Sequence, residues 1–363
     1  MRFQEFRTVL TEAKRSVGRE LQHLEDLVFV DGSAGANEAL DILARFGNDV
    51  SDVSVKWDGT PAVIFGRDET GNFILTDIAG FNNKSYNGRV TSAQDLQKMI
   101  LGRGKEVDDN RRAYAQQMAS IWDAFEDSVP QELRGFIHGD LLYKSLPPVD
   151  NTGHYVFTPN KVTYLVRTDS DIGKRISSSK AGVVVHTHTD LAGNVTPVKA
   201  SDLNEGSLFI MPPVLAQNPP KINTSGIDQI RAVVNKNANA IDTLLAPQQG
   251  LSDIKNIIYT YVNQMSRAGR WNDLTTGFEE WLKNSKVSKN KQEKILAMPE
   301  SKNFPLVFDL VLKIQKIKND VIQQLDNSEM DVQASIEGTK GGEGYVAARD
   351  KVKLVPRHRF KIG

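Results

Sequence analysis

At 363 residues, with 39% hydrophobic and 25% charged side chains, the chain has the composition of an ordinary globular protein and the length for two domains. Lysine plus arginine equals aspartate plus glutamate at 45 each, so no global field draws in nucleic acid and any such affinity must come from local patches. Cysteine is absent, which excludes a disulfide scaffold, thiolate catalysis and cysteine-bound zinc or iron–sulfur clusters, and leaves hard-metal chemistry open. No stretch approaches the ~18 consecutive apolar residues of a membrane span, and the N-terminus MRFQEFRTVLTEAKRSVGRE is amphipathic and charged, unlike a signal peptide. The expectation is a soluble, cytoplasmic protein with no membrane partner.

The hydrophobic period changes along the chain. Residues 2–46 have a helical pattern, broken at Asp31–Gly35 before ANEALDILARF. Residues 50–90 alternate as strands with hairpin turns, one of them at Glu69–Asn72. A charged helical stretch covers 92–128, and strands return in RGFIHGDLLY, HYVFTPNKVTYLVR and AGVVVHTHTD. MPPVLAQNPPK at 211–221 reads as a linker, 226–326 is almost purely helical, and EGTKGGEG turns the chain into a last strand pair, GYVAARDKVKLV. This order predicts an α+β strand-rich domain over 1–221 plus 331–363, with a helical part at 1–48, interrupted by an all-helical insertion at 222–330 of the size of a small domain.

Four stretches carry candidate chemistry: Lys56-Trp57-Asp58-Gly59, Phe136-Ile137-His138-Gly139-Asp140-Leu141, Tyr155-Val156-Phe157, and Glu343-Gly344-Tyr345-Val346 followed by Lys351-Val352-Lys353. In this order they resemble the covalent nucleotidyltransferase superfamily, the ATP-dependent DNA and RNA ligases and their mRNA-capping relatives. Within it the pattern is most similar to ligase-like proteins of large tailed phages. The resemblance spans residues 50–215 and 335–363 and implies ATP-grasp-like antiparallel sheets. It also implies a covalent lysyl-AMP intermediate, ATP and Mg²⁺ as cofactors with Mn²⁺ able to substitute, and joining of 5′-phosphate to 3′-hydroxyl ends of RNA or nicked duplex. Lys56 and Asp58 belong to the nucleophile turn, with Lys56 attacking the α-phosphate. An ordinary lysine amine with a pKa near ~10.4 is almost wholly protonated at neutral pH, so neighbouring cations, Lys351, Lys353 and the metal, are expected to lower it and to neutralise phosphate. Asp140 and Glu343 are the expected ribose and metal ligands, Gly59 the point of close backbone approach to the nucleotide, and Phe157 the base platform.

The pattern departs from that family in three places. Asp140 stands where glutamate is usual. Pro61 stands where an arginine often follows the nucleophile, so Arg67 or Lys84 is expected to take over those nucleotide contacts. Only ten residues follow Lys353, which predicts no C-terminal OB-fold and a protein closer to RNA ligases than to DNA ligases. Tyr164 rivals Phe157 as platform, and Glu337 rivals Glu343. His138, His186 and His188 suggest zinc only in the company of a third ligand, and otherwise decorate a surface. Ile137–Leu141 also resembles the catalytic loop of aminoglycoside-type phosphotransferases, but Ser145 stands where their metal-binding asparagine would be. A catalytically inactive binding module is the remaining alternative. Between Lys283 and Lys318, nine lysines against three acids leave a local charge of +6, a candidate footprint for a nucleic-acid backbone on a monomeric protein.

Overall fold

The computed structural model describes residues 22–81, 90–104, 106–248 and 250–357. In chain order its strands are β1 Gln22–His23, β2 Val53–Val55, β3 Ala62–Arg67, β4 Phe73–Asp77, β5 Gly135–Tyr143, β6 His154–Phe157, β7 Val162–Arg167, β8 Ala181–Thr189, β9 Val195–Pro197, β10 Leu208–Ile210, β11 Val332–Ile336, β12 Thr339–Lys340, β13 Tyr345–Ala347 and β14 Val352–Leu354. Its longer helices are α1 Leu27–Phe46, α2 Ala93–Leu101, α3 Asp109–Ser120, α4 Trp122–Ser128, α5 Asp171–Ser177, α6 Thr224–Lys236, α7 Ala238–Leu245, α8 Ile254–Arg267, α9 Phe278–Asn284, α10 Lys289–Ala297 and α11 Phe304–Asn327. The chain is therefore a mixed α/β protein with open sheets, and it divides into two compact units. Among the described residues no helix is long and apolar enough to cross a membrane.

One unit comprises Trp57–Val214 and Asp331–Gly342. Its six-stranded sheet runs β10-β8-β5-β3-β4, with β9 paired to β8. The predicted hairpin joins β3 to β4, and the Asp68 carboxylate accepts the backbone N–H groups of Thr70 and Asn72 at 2.9 Å in its turn. The continuous apolar run of β3 is explained by burial on both faces. Val63 and Phe65 pack with Leu96, Met118 and Phe125 of the covering helices, while Ile64 packs with Ile74, Phe81 and Phe136 on the other face. The helical stretch 92–128 is three helices: Ser92 and Asp108 cap the first two, and the helix breaks at Ile121 before the third. A second sheet, β12-β11-β7-β6, is antiparallel throughout. Strands β9 and β11 lie in segments of mixed, partly polar composition, and β10 is an apolar run of only three residues, too short for a periodic signal.

The other unit holds residues 22–56, Leu215–Met330 and 343–357 among those described. Its sheet runs β1-β14-β13-β2. Helix α1 bends at the expected place, Asp31–Gly32, where the Asp242 carboxylate accepts both the backbone N–H and the hydroxyl of Ser33. The expected division into a strand-rich domain and a separate helical insertion over 222–330 differs from this grouping. Helix α1 packs on α6, α7 and α11, and α11 also packs on β14, so the helical stretch shares a core with the first and last segments of the chain. The reason lies in the apolar faces: Leu40 and Leu43 of α1 and Val352 and Leu354 of β14 need a partner, and α11 supplies Leu310, Ile314 and Val321.

At the heart of that unit lies a buried cluster of four charges. Lys318, wholly inaccessible to water, donates to both carboxylate oxygens of Glu25 at 2.8 and 2.7 Å and to the carbonyl of Val355 at 2.8 Å. Arg357 bonds Asp26 and lies 3.4 Å from Glu25. Burial works against both members of the lysine pair. It lowers Lys318, while the ammonium and guanidinium nearby overcome it at Glu25 and hold that carboxyl below its usual range. At Asp26 burial wins, and the carboxyl rises to about 6 despite Arg357. Replacing Lys318 by methionine strands Glu25 without its ammonium and is expected to cost on the order of 3–5 kcal/mol, read from the shift of the urea midpoint. The double change Glu25→Leu/Lys318→Met should recover most of that loss. Because Asp26 binds its proton more tightly folded than unfolded, its contribution to stability falls as pH rises from ~4 through 6. Asp26→Asn should flatten the urea-midpoint profile across that window.

Candidate functional site

The sheet β1-β14-β13-β2 brings together residues almost 300 positions apart. Strand β13 is antiparallel to both neighbours, with Val346 opposite Ser54 on one side and Lys353 on the other, and His23 pairs with Lys353 in parallel register. Burial alternates as a two-sided sheet requires: Val53, Tyr345, Ala347, Val352 and Leu354 are buried, while Ser54, Val346 and Lys353 between them are partly open. The backbone N–H of Lys56 donates to the Gly344 carbonyl at 2.8 Å, which carries the ladder one residue past β2 and puts Lys56 on the partly open face with Lys353. Gly344 has φ +124°, and a Cβ there would sit 2.0 Å from the Leu354 carbonyl oxygen, so only glycine closes this corner.

On that face the Lys56 ammonium bonds Glu343 Oε2 at 2.5 Å, with both side chains about a quarter exposed. Lys353 is held below the ordinary lysine range, first by burial and then by the charges of Lys56 and Arg357. His23 is held well below its usual value by burial and by the charges of Arg357, Lys318, Lys353 and Lys56, so it is neutral beside them. The result is a cationic shelf of Lys56 and Lys353 with one carboxylate on it. Of the two lysines expected to assist, Lys353 is the one in place. Lys351 sits exposed, in the turn between β13 and β14, at the end of the strands remote from Lys56. Glu343 is likewise preferred to Glu337, which lies in the β11–β12 turn with φ +49°.

Lys56 ends one segment of its unit, and Trp57 begins a segment of the other. There the Asp58 carboxylate accepts from the Asn160 amide at 3.0 and 3.2 Å, and the Asp58 backbone N–H donates to the Tyr164 hydroxyl at 2.6 Å. Gly59 lies flat against β5: a Cβ would come within 2.8 Å of Asp140 Cβ and 2.9 Å of the Leu141 carbonyl oxygen. Its glycine therefore serves strand contact, and the Thr60 N–H secures the same turn by donating to Leu141. Asp140 sits inside the β5 ladder, opposite Ala62 and Val184, and not in a loop as a phosphotransferase base would require.

Asp140 also has a partner that sequence patterning missed. His186 Nε2 lies 2.9 Å from Asp140 Oδ2, and the His138 and His186 rings are 5.4 Å apart. The pairing of β5 with β8 jumps from His138–Thr187 to Gly139–Val185, so His186 is the extra residue of a β-bulge. A bulge re-aims one side chain out of strict alternation, which explains why counting along HTHT did not place His186 beside Asp140. The remaining His188 bonds the Arg134 carbonyl at 2.9 Å. Among the described residues no group of three or more histidine and acidic side chains forms a metal cage.

Two expected contacts are placed elsewhere. Arg67 is 3% exposed and gives its guanidinium to the carbonyls of Gly71, Val129 and Pro130, which makes it a strut under β3 instead of a nucleotide ligand. Lys84 lies outside the described residues. Phe157 is 7% exposed within an aromatic cluster: Trp57 is stacked 6.4 Å away, Tyr164 is at 5.5 Å and Tyr143 at 5.4 Å. The lysine-rich stretch is also less free than its count suggested, since Lys283, Lys291 and Lys313 pair with Glu279, Asp253 and Asp309, and Lys318 is buried.

The chain belongs to a family of unknown function, DUF6267, whose model matches residues 19–362. No curated protein and no solved structure matches it significantly.

The electrostatics of the shelf are directly testable. Lys56→Met removes the largest charge acting on Lys353, so the Lys353 ammonium should titrate at higher pH in the variant. NMR of isotope-labelled lysine side chains reads this, and an unchanged Lys353 titration would show that the two amines do not share a face.

Proposed function

We propose that the protein is an ATP-dependent nucleotidyltransferase that adenylates itself on Lys56 and passes the AMP to a polynucleotide end, as an RNA ligase-like enzyme would. The observation that carries this reading is the contact of Lys56 with Glu343, 287 positions away, on a sheet face that also bears Lys353. These are three of the motif positions that resemble the ligases, and their convergence supports a chemical rather than an accidental pattern.

In the first step the Lys56 amine attacks the α-phosphorus of ATP. The N–P bond forms, the bond to the β-phosphate oxygen breaks, and pyrophosphate leaves with the electron pair. The amine must lose a proton, and the Glu343 carboxylate is the acceptor already bonded to it. Lys353 places a positive charge on the same face, where the departing and transferred phosphates carry negative charge. A 5′-phosphate oxygen then attacks the lysyl-bound phosphorus and releases Lys56. Finally a 3′-hydroxyl attacks the activated 5′-phosphate and AMP departs.

Glu343 and Asp140 each fit a role as a single carboxylate anchor for Mg²⁺, which takes one or two carboxylates together with substrate phosphate oxygens and water and needs no closed cage. Bound there, the ion would neutralise phosphate charge. His186 holds the Asp140 carboxylate in one orientation.

Incubation with α-labelled ATP and Mg²⁺ should leave denaturation-resistant label on the protein, and Lys56→Ala should abolish it. No label on the wild-type chain, or label persisting in the variant, sinks the proposal. Label transferred from the γ-position would replace it with a kinase. His186→Ala is expected to lower the labelling rate by about tenfold and to raise the Mg²⁺ needed, while His186→Gln, which keeps a donor, should restore part of it.

A further inference from the structure

Helices α8 and α9, with the loop that leads into α10, border an open groove of about 710 Å³ that none of the motif residues touches. Trp281 lines it. The indole N–H donates to Gln264 Oε1 at 2.6 Å, and the ring lies 5.2 Å from Tyr261 and nearly parallel to Phe278 at 5.9 Å. Both of those rings pack on Phe308, which is fully buried. The tryptophan is thus fixed by the core and by a hydrogen bond, yet it stays only half-buried.

Most of the remaining lining is polar, with Ile257 and Val287 as its apolar members. Asn256, Thr260, Asn284 and Ser285 offer amides and hydroxyls, and Lys286 stands exposed at the rim. The one lining carboxylate, Asp253, is neutralised by Lys291 at 2.6 Å. Lys289 and Lys294, also on α10, are exposed. A rigid aromatic face among amides, with cations outside, is what a nucleotide asks for: the base stacks, its edge bonds to the polar groups and its phosphate meets the lysine. A paired duplex could not present a base face to the indole.

We propose that this groove binds a single-stranded polynucleotide, with one base stacked on Trp281 and an adjoining phosphate at Lys286. The inference rests on the ligase reading for its purpose, since it names an unpaired strand as the substrate. Binding itself is a property of the groove and is measured apart from adenylation.

The test uses the full chain and a fluorescent single-stranded RNA of about a dozen nucleotides, followed by anisotropy at roughly 50 and 200 mM salt, with the same strand in duplex form and polyglutamate as comparisons. The single strand should bind and weaken with salt. Trp281→Ala should lose between about fivefold and a hundredfold in affinity, and Trp281→Phe, which keeps a stacking face and the core contacts, much less. Lys286→Glu lies on the surface and cannot unfold the helices; it should weaken binding and make the salt dependence shallower. Wild-type affinity in both Trp281→Ala and Lys286→Glu overturns the proposal, as does equal binding of the duplex. Competition by polyglutamate at matched charge would assign the groove to an acidic protein instead. Self-labelling with ATP, run on the same samples, separates the two ideas. Lost strand binding with intact label supports the groove, whereas strand binding without label in the wild type refutes the ligase reading alone.

Discussion

The ammonium of Lys318 is the point on which the Lys56 sheet depends. Its three N–H donors meet three acceptors, two from Glu25 and one from the Val355 carbonyl, with no water in reach. Removing such an ion from water costs several kcal/mol, which only full satisfaction offsets. That requirement locks α11 to the turn before α1 and to the chain leaving β14. Lys353 stands two residues before Val355, so the same lock sets the height of the strand that carries it.

From this cluster a field reaches the partly open sheet face. Burial, with Arg357 and Lys318, holds His23 neutral, and Arg357 joins burial and Lys56 in lowering Lys353. The buried charges have a second consequence. The local lysine count between 283 and 318 mixes one core ammonium, three paired side chains and others such as the exposed Lys286, so a single number hid different environments.

The other unit uses backbone geometry where this one uses charge. Gly59 allows the turn after Trp57 to lie on β5, and the bulge at His186 turns that side chain to Asp140. Trp57, Phe157 and Tyr164 pack the base of the same turn, which explains why two aromatic residues suited to a base platform are mostly spent on the core.

Local pattern alone determined much of the secondary structure. The strand, turn and strand around Lys56, the 69–72 hairpin, the bend at Asp31–Gly32, the helices between 224 and 327 and the final strand pair all follow from period and turn residues, because these depend on near neighbours. The pairing of Lys56 with Glu343 was legible only as an ordered set of motifs. Tertiary structure decided the rest: Lys353 over Lys351, since register puts one on the sheet and the other in a turn; Arg67 as a strut, since a lone strand arginine does not reveal which carbonyls surround it; His186 beside Asp140, since a bulge breaks the alternation from which facing is read; and the shared core of α1, β14 and α11, since burial between segments 300 residues apart leaves no periodic trace of its partner.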